Sequence, residues 1–542
     1  MHRRVGVFLV ACVAVACLPS RAVEPKNVLM IVMDDVGVDS LGVYPVNPKA
    51  HSSIATPTID GLAKSGIVFD DVWSNPICSP TRATILTGRY DFRTSVSGLV
   101  SEREIYRLPI DEVTIPQVLA GLPDLKADAA AFGKWHLANC LNGREHHPNL
   151  AGFSYFAGQM FNLRRPESYF YWPKTVNGTT TPTETYSTTD NVNEASAWIR
   201  SHGQGEPWFV YLALNAAHWG PDSIWQVPPH ELLPEGGRGL PREGTHCGEL
   251  CRRKMIEAMD HEIGRLLGEI DPYLSNTTII LVADNGTDQA VQPDGSPYPS
   301  SHLKFSLYEG GINVPLIISG AAVAKPGTRS SALVNTSDLF ATVIELMSGQ
   351  SIEAVRPGAV LDSKSLVPII EATSSRVRDY AFASRQSNQY AIRNTRYKLI
   401  REPDGEQLYD MSTDRHTERN DLLRHENLDS IEKENYDALS LALDDLIAPA
   451  RSACPIVAEC TDCRADARNQ TCSETATCRF RPAGTPGMQR CLLRDGSSFV
   501  CQQGTIHVRI CECGGAGVDC VDDPAPSMTP GPPRMSRTLV CR

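Results

Sequence analysis

Residues 27 to 33 read NVLMIVM, and two acids, Asp34 and Asp35, follow at once. A strand that is apolar almost throughout is typical of a parallel sheet that helices cover on both faces. Three later runs have the same character, namely Trp208 to Leu214, Thr278 to Val282 and Val314 to Ile318. Helix-like stretches alternate with these runs as far as about residue 345, and this alternation predicts an α/β fold with a large, mostly parallel sheet flanked by helices.

Polar clusters follow the first three of these runs. They are Asp34 with Asp35, Asn215 with His218, and Asp284 with Asn285. Ligands of open α/β sheets bind outside the carboxyl ends of the strands, so we expect these side chains to converge. Carboxylate and amide oxygens suit a hard cation, Ca²⁺ or Mg²⁺, better than zinc. An isolated Asp-Asn-Gly is often only a turn, but two acidic strand ends in one fold favour a metal site.

The segment from residue 78 to 89 reads CSPTRATILTGR. Pro80 suits the first turn of a helix, which puts Cys78 at a helix start where backbone donors and the helix dipole favour anions. A structural disulfide and a simple low-pKa thiolate are the plain alternatives for Cys78. A cysteine phosphatase would need arginine six residues later, but that residue is Thr84.

Basic side chains occur near other predicted strand ends. Lys134 and His136 are two residues apart, and an extended segment would direct both to one face. His218 follows the second apolar run, and Lys304 precedes a Glu-Gly-Gly turn that leads to the Val314 strand. Taken singly, such residues are more often surface or structural ones. Together with Arg82 they would form the local basic pocket that an anionic substrate needs in a chain of net charge -12.

The amino terminus predicts export. Residues 1–22 combine a basic start, an apolar run and a small-residue site that a signal peptidase accepts. We expect a secreted or periplasmic protein without a stable membrane span, because the apolar run is shorter than a span requires. A membrane anchor and lipidation at Cys12 are the alternatives. The acidic charge gives no general attraction to nucleic acid.

The carboxyl-terminal third predicts two further units. Residues 396 to 410 read as an antiparallel hairpin, and residues 427 to 447 have helical periodicity that Ala448 and Pro449 should end. We therefore expect a catalytic domain over residues 23–450 whose smaller antiparallel subdomain begins near residue 375. Of 17 cysteines, 11 fall between Cys454 and Cys541, which predicts a disulfide-rich module over residues 451–542. Zinc at the C-x2-C of Cys460 is the competing interpretation.

Several of these motifs resemble the formylglycine-dependent (type I) sulfatase family of the alkaline phosphatase superfamily. Cys78 to Arg82 matches the C-x-P-x-R modification signature, and the Leu-Thr-Gly-Arg that follows is similar to the family pattern. The GKWHL segment at residue 133 looks like the second family motif, and Lys304 with Glu-Gly-Gly looks like the late lysine motif. The resemblance extends over roughly residues 25 to 425, a normal span for a large enzyme domain.

The resemblance implies a sulfuric ester hydrolase acting on a small-molecule or carbohydrate sulfate ester. A maturation enzyme would oxidise Cys78 to formylglycine, whose hydrate would supply the attacking hydroxyl. Lys134, Lys304 and the cation would bind the sulfate oxygens, and Arg82 would help to activate the nucleophile. His218 would protonate the leaving alcohol, and His136 would deprotonate the second hydroxyl. The implied ligands of Ca²⁺, with Mg²⁺ as the alternative, are Asp34, Asp35, Cys78, Asp284 and Asn285.

Some residues depart from the family pattern. Ala217 precedes His218 where proline is common, Ala138 stands where glycine is common, and the residues after Asp35 diverge. These departures concern substrate specificity and the role of His218. A phosphonate monoester or phosphodiester hydrolase is the nearest rival, because related enzymes share the same plan. A surface or glycan-binding protein with an inert catalytic fold is the rival from another class.

Overall fold

The computed structural model describes residues 27 to 452, except positions 103, 104, 165, 221–223, 387, 414, 425 and 426, together with short strand segments beyond residue 458. The predicted signal peptide, residues 1–22, lies outside the described residues. No helix within the described part of the chain has the length and apolar character needed to cross a bilayer.

Ten strands form the larger sheet. They are β1 (Asn27–Met33), β2 (Gly66–Trp73), β3 (Asp128–Gly133), β4 (Tyr155–Gly158), β5 (Trp172–Val176), β6 (Thr179–Thr183), β7 (Trp208–Ala213), β8 (Thr277–Ala283), β9 (Leu316–Gly320) and β10 (Thr328–Asn335). Their order is β10-β2-β9-β8-β1-β7-β3-β4-β5-β6. The run β8-β1-β7-β3-β4 is parallel, whereas β9 is antiparallel to both of its neighbours. The predicted mostly parallel sheet is confirmed, and its last predicted strand begins at Leu316 rather than Val314.

Helices cover both faces of this sheet. As a result, every residue from Val28 to Met33 has no exposed surface. The helices are α1 (Ala50–Ser53), α2 (Pro57–Lys64), α3 (Cys78–Thr87), α4 (Asp91–Thr94), α5 (Ile115–Ala120), α6 (His147–Leu150), α7 (Ser187–Arg200), α8 (Gly248–Glu269), α9 (Asp271–Leu274), α10 (Glu309–Ile312), α11 (Asp338–Ser348), α12 (Ile352–Val355) and α13 (Val367–Ile370). One group packs α8 against α2 and α7, and another packs α11 against α3 and α5. The apolar strands therefore lie in a layer buried on both sides.

A smaller antiparallel sheet follows in the chain, with the order β11-β12-β13-β14. Its strands are β11 (Ala381–Arg385), β12 (Gln389–Arg393), β13 (Tyr397–Glu402) and β14 (Gly405–Asp410), and helix α14 (Ser430–Ser452) comes after it. The predicted hairpin is confirmed. The predicted end of the helix at Pro449 is wrong, because a proline can kink a helix and remove one hydrogen bond without ending it, and this helix continues to Ser452. Leu439, Leu443 and Ile447 form its buried face, but Ile431 is exposed.

Six short strands lie beyond residue 458. They are β15 (Glu459–Cys460), β16 (Ala476–Arg479), β17 (Val500–Gln502), β18 (Thr505–Gly514), β19 (Gly517–Pro524) and β20 (Thr538–Leu539). They pair in the orders β15-β16-β20 and β17-β18-β19. The side chains of this segment lie outside the described residues, so the disulfide-rich module stays a prediction. The disulfide between Cys247 and Cys251, at the start of α8, was not expected from the sequence.

A buried ionic network joins the smaller sheet to the larger one. Lys398 of β13 lies 2.6 Å from a Glu418 carboxylate oxygen and 3.2 Å from Oε1 of Glu309. Trp73, at the end of β2, donates its indole N–H to Glu309 over 3.0 Å. Burial raises the pKa of Glu418 to about 7. Burial also acts to raise the pKa of Glu309, but Lys398, Arg393 and Arg415 together outweigh it and lower the pKa. The network fixes α10, which follows Lys304 in the chain, to the smaller sheet.

We expect Lys398→Met to lower the free energy of unfolding by roughly 3–5 kcal/mol, because it removes the buried ammonium that pairs with the carboxylates of Glu309 and Glu418. Arg396→Met is the matched control, since Arg396 pairs with Asp410 on the same hairpin but its side chain is 52% exposed. That variant should unfold like the wild type. Urea unfolding of both variants measures the difference, and equal stabilities would contradict a structural role for the network.

Candidate active site

The carboxyl ends of adjacent strands bring the predicted residues together. β1 pairs with β7 on one side and β8 on the other, so the residues that follow these three strands lie side by side. The predicted residues are all buried, with at most 2% of each side chain exposed: Asp34, Asp35, Cys78, Arg82, Lys134, His136, His218, Asp284, Asn285 and Lys304. The expected convergence is therefore present in the structure.

Arg82 forms ion pairs with two of the acids, Asp34 and Asp284. Its Nη2 lies 2.7 Å from Oδ2 of Asp284 and 3.3 Å from Oδ2 of Asp34. Its Nη1 donates to the carbonyl of Lys134 over 2.8 Å. The Lys134 ammonium in turn forms an ion pair with Asp34, whose Oδ1 lies 3.6 Å from the Cys78 sulfur. These contacts hold the helix that starts at Cys78 against the ends of three strands.

Asp35 is the centre of the other half of the cluster. The Lys304 ammonium lies 2.7 and 2.8 Å from its two carboxylate oxygens. Nε2 of His218 lies 3.8 Å from Oδ2, and the amide of Asn285 donates to Oδ1 over 2.7 Å. Within the described part of the chain, Oδ1 of Asn285 has no hydrogen-bond partner. A buried acceptor without a partner points to a group that binds there.

Cys78 is the first residue of α3, as the position of Pro80 predicts. Among the cysteine side chains that the structure describes, Cys78 is the free thiol, so the structural-disulfide alternative is wrong. Burial raises the pKa of this thiol, although Lys134 and Lys304 act in the opposite direction. The thiol is therefore neutral, which argues against the simple thiolate alternative.

The two histidines of the cluster are neutral. Burial lowers the pKa of His136 and of His218, and the nearby Lys134 lowers both further. His218 is oriented by a 2.7 Å hydrogen bond from Nδ1 to the Trp219 carbonyl, which leaves Nε2 toward Asp35. Nδ1 of His136 has no partner among the described residues. For Lys304, burial alone would lower the pKa, but the negative groups around it, Asp35 first among them, together outweigh burial and raise the pKa.

The expectation that Lys134 and His136 share one face of an extended segment is wrong. Strand β3 ends at Gly133, and the backbone of His136 has a φ of +61°. The N–H of Lys134 bonds to Ala213 of β7, and that of His136 bonds to Met160 beyond β4. The chain therefore turns between Lys134 and His136, because the Ala213 carbonyl accepts a hydrogen bond from one and the Met160 carbonyl accepts one from the other.

Two features that position the site had no clear sequence signal. The hydroxyl of Tyr169, which lies in a connection between strands, is 2.6 and 2.7 Å from the carbonyls of Asn215 and His218. Gly286 lies so close to α10 that a Cβ on it would be 1.8 Å from the Gly310 carbonyl oxygen. This approach joins the loop after Asn285 to the helix that follows Lys304. Tertiary neighbours, rather than local pattern, decide both features.

The donor atoms fit a hard cation. Ligand atoms of Asp34, Asp35, Cys78 and His218 all lie within 4.8 Å of one another. The ligand set predicted from the sequence includes Asp284 and Asn285 but not His218. Asp284 is bound through Oδ2 to Arg82 and accepts the Asp35 N–H at Oδ1 over 3.3 Å. Among the residues that the structure describes, none donates to the carbonyl oxygen of Asn285. Carboxylate and amide oxygens suit Ca²⁺ or Mg²⁺. The full ligand set stays a prediction.

The fold and this cluster define a class of α/β protein whose buried acids, bases and cysteine meet at the carboxyl ends of a mostly parallel sheet. The model of the family described as "Sulfatase" matches residues 26–349, and the chain belongs to this family.

Two relatives and one solved structure give the extent of the similarity. Human N-acetylgalactosamine-6-sulfatase is 28% identical over 357 residues, which are 60% of this chain and 63% of the relative. Bovine arylsulfatase A (Bos taurus) is 26% identical over 416 residues, 70% of this chain and 75% of the relative. The crystal structure of Ps i-CgsB in complex with k-i-k-neocarrahexaose superposes with a TM-score of 0.62 at 23% identity, covering 79% of this chain and 93% of that one. The structural likeness shows the fold. The chain spans less than two thirds of the length of the human relative.

We expect Gly286→Ala to destabilise the protein by about 1–3 kcal/mol, because the added methyl group would overlap the backbone of α10 at Gly310. Gly61→Ala in α2 is the matched control, since a Cβ there has no neighbour within 4 Å and alanine favours the helix. Thermal unfolding of the two variants checks this. A Gly286→Ala protein as stable as Gly61→Ala would contradict the close approach.

Proposed function

We propose that the chain hydrolyses sulfate esters and releases an alcohol and inorganic sulfate. The observation that carries this proposal is Cys78, a free, buried cysteine at a helix start, within the C-x-P-x-R signature and 3.6 Å from an Asp34 oxygen. Family membership supports the reaction class. The buried cations Arg82, Lys134 and Lys304 would match a small anion in a protein that is otherwise acidic.

Carbohydrate sulfates are the substrate class that we favour. The human relative is named for a sulfated sugar, and Ps i-CgsB was crystallised with an oligosaccharide. The sugar in the name and the bound oligosaccharide are properties of those two proteins. They support the proposal through the fold and motifs that this chain shares with them.

The neutral state of Cys78 supports its conversion to formylglycine by a maturation enzyme. A buried thiol whose pKa is raised is a poor nucleophile and a soft ligand among hard oxygen donors. Formylglycine, when hydrated, would supply hydroxyl oxygens at residue 78. Asp34, Asp35, Asp284 and Asn285 are the residues that would hold Ca²⁺, with Mg²⁺ as the alternative. The bound cation would neutralise negative charge and lower the pKa of a coordinated hydroxyl.

The other side chains have separate tasks in this proposal. Lys134 and Lys304 would bind the sulfate oxygens, and Arg82 would keep Asp34 and Asp284 in place. His218 directs Nε2 into the cluster, so it would pass a proton to the leaving alcohol. An anionic substrate beside its imidazole would raise the pKa and favour the protonated form. His136 is neutral, and its Nδ1 has no partner in the described part of the chain, so it is suited to accept a proton from a hydroxyl at residue 78.

We also propose export and a two-part organisation. A disulfide between Cys247 and Cys251 is typical of an oxidising compartment, as in the periplasm or outside the cell. Residues 23–450 would form the catalytic domain with its subdomain from about residue 375. Residues 451–542 would form the disulfide-rich module.

We expect purified protein from a host with the maturation enzyme to hydrolyse p-nitrophenyl sulfate faster than an aryl phosphonate monoester at equal concentration. A chelator should lower this activity, and added Ca²⁺ should restore it. With a p-nitrophenyl ester as the phosphonate, the rate of nitrophenol release measures the turnover of both substrates. Preference for the phosphonate would favour the rival hydrolase, and no turnover of any ester by matured protein would favour an inert, glycan-binding role.

Cys78→Ala and Asp34→Asn should each lower kcat/KM at least about a hundredfold, because the first removes the proposed nucleophile and the second removes a proposed ligand of the cation. Asp294→Asn is the control, because Asp294 is an acid whose side chain is 71% exposed and pairs with Lys49 at the surface. Unfolding curves should show that Cys78→Ala remains folded. Wild-type turnover by Cys78→Ala would rule out residue 78 as the nucleophile.

A further inference from the structure

Two aromatic side chains lie next to the cluster, and each directly follows a residue with a proposed task. Trp219 follows His218, and their ring centroids are 4.5 Å apart. Phe305 follows Lys304, whose ammonium lies 5.2 Å from the Phe305 ring centroid. His218 and Lys304 both approach Asp35, so the two aromatic residues adjoin side chains that meet at one carboxylate.

The aromatic rings reach solvent, whereas the residues before them do not. His218 and Lys304 are 1% and 2% exposed, but Phe305 is 36% exposed and Trp219 is partly exposed. The rings therefore lie at the boundary between the buried charges and the exterior. A substrate whose sulfate reaches the buried cations would have its alcohol portion at this boundary.

The indole of Trp219 is held in place by a buried acid. Its Nε1 donates to Oδ2 of Asp288 over 3.2 Å, and Oδ1 of Asp288 accepts the Ala290 N–H over 2.9 Å. Asp288 is 5% exposed. The acid thus uses both oxygens to fix its neighbours, and the polar edge of the indole is occupied. What Trp219 offers to a ligand is the face of its ring.

Phe305 keeps an exposed aromatic ring at a backbone position that suits glycine better. Its φ is +71°, a left-handed conformation that bulky residues rarely adopt. Its N–H donates to the Pro76 carbonyl over 2.9 Å, which fixes the backbone to the loop before Cys78. An exposed ring therefore stands at a strained backbone position. Such strain is typical of functional sites.

We propose that Trp219 and Phe305 bind the ring of the leaving alcohol. The shared chemistry is a flat ring with an apolar face, either the C–H face of a sugar or an aryl group, which packs against aromatic side chains. This inference rests on the proposed function, because a proton from His218 to the leaving oxygen requires the alcohol to lie beside that histidine and hence beside Trp219. The two side chains would decide which sulfate esters bind.

Kinetics with ring-bearing and acyclic sulfates test the proposal. Trp219→Ala and Phe305→Ala should raise KM for p-nitrophenyl sulfate or N-acetylgalactosamine 6-sulfate about three- to tenfold, the effect of one lost aromatic contact. Trp219→Phe should recover most of this loss. Turnover of propyl sulfate, which has no ring, should change less than twofold. Comparing the aryl and sugar substrates identifies which ring the site prefers. Equal effects on all three sulfates would overturn the proposal.

Tyr380→Ala is the matched control, because Tyr380 is an aromatic residue with a similar exposure of 37% that directly precedes β11 of the smaller sheet. It should leave all three KM values unchanged. Phe305→Gly separates binding from packing. Glycine suits the backbone there, so the unfolding temperature should be unchanged or higher while KM for the ring-bearing sulfates rises. A lower unfolding temperature without a change in KM would make Phe305 a packing residue.

A binding measurement on protein that cannot catalyse tests the ring site independently of the proposed hydrolysis. Saturation-transfer NMR of unmatured, thiol-form protein with phenol, N-acetylgalactosamine and propanol should give signals for at least one ring compound and none for propanol. Trp219→Ala should weaken those signals. Absence of wild-type turnover would contradict the hydrolase alone, whereas equal NMR signals in wild type and Trp219→Ala would contradict the ring site alone.

Discussion

Three acids and three bases are buried together in this protein, and the arrangement of its loops depends on keeping them paired. Asp34, Asp35 and Asp284 face Arg82, Lys134 and Lys304, and none of the six is more than 2% exposed. A buried charge without a partner is very costly, so each of these side chains needs the others in place. The order β8-β1-β7 meets this need, because it puts the acids after β1 and β8 beside the Cys78 helix.

Polar contacts around the cluster hold the loops that carry it. Asp39, after β1, accepts the hydroxyl of Thr287, which follows Asn285, and that of Ser296, both over 2.7 Å. On the other side, the amide of Asn75 donates to the carbonyl of Ser384 in the smaller sheet over 2.9 Å. The smaller sheet thus supports the loop before Cys78, in addition to the Glu309 network. A site whose charges must match closely needs such rigid surroundings.

The sequence predicts most of the framework and much less of its detail. The bounds of β1 are those of its apolar run, and the rule for strand ends brings Asp34, His218 and Asp284 together correctly. These features depend on local patterns that repeat along the chain. The turn at His136, the contact of Gly286 with Gly310 and the Cys247–Cys251 disulfide depend on distant or side-chain geometry. Local periodicity carries no information about such contacts, and it also placed the end of α14 too early.

The central claim is that residue 78 acts as an oxidised residue among oxygen ligands, and the mass of its peptide tests this most directly. Protein exported from hosts with different amounts of maturation enzyme would be digested, and the aldehyde fraction at position 78 measured beside the specific activity. We expect activity to rise in proportion to the aldehyde and to vanish with the thiol. Full activity in a preparation whose Cys78 is entirely thiol would contradict the account.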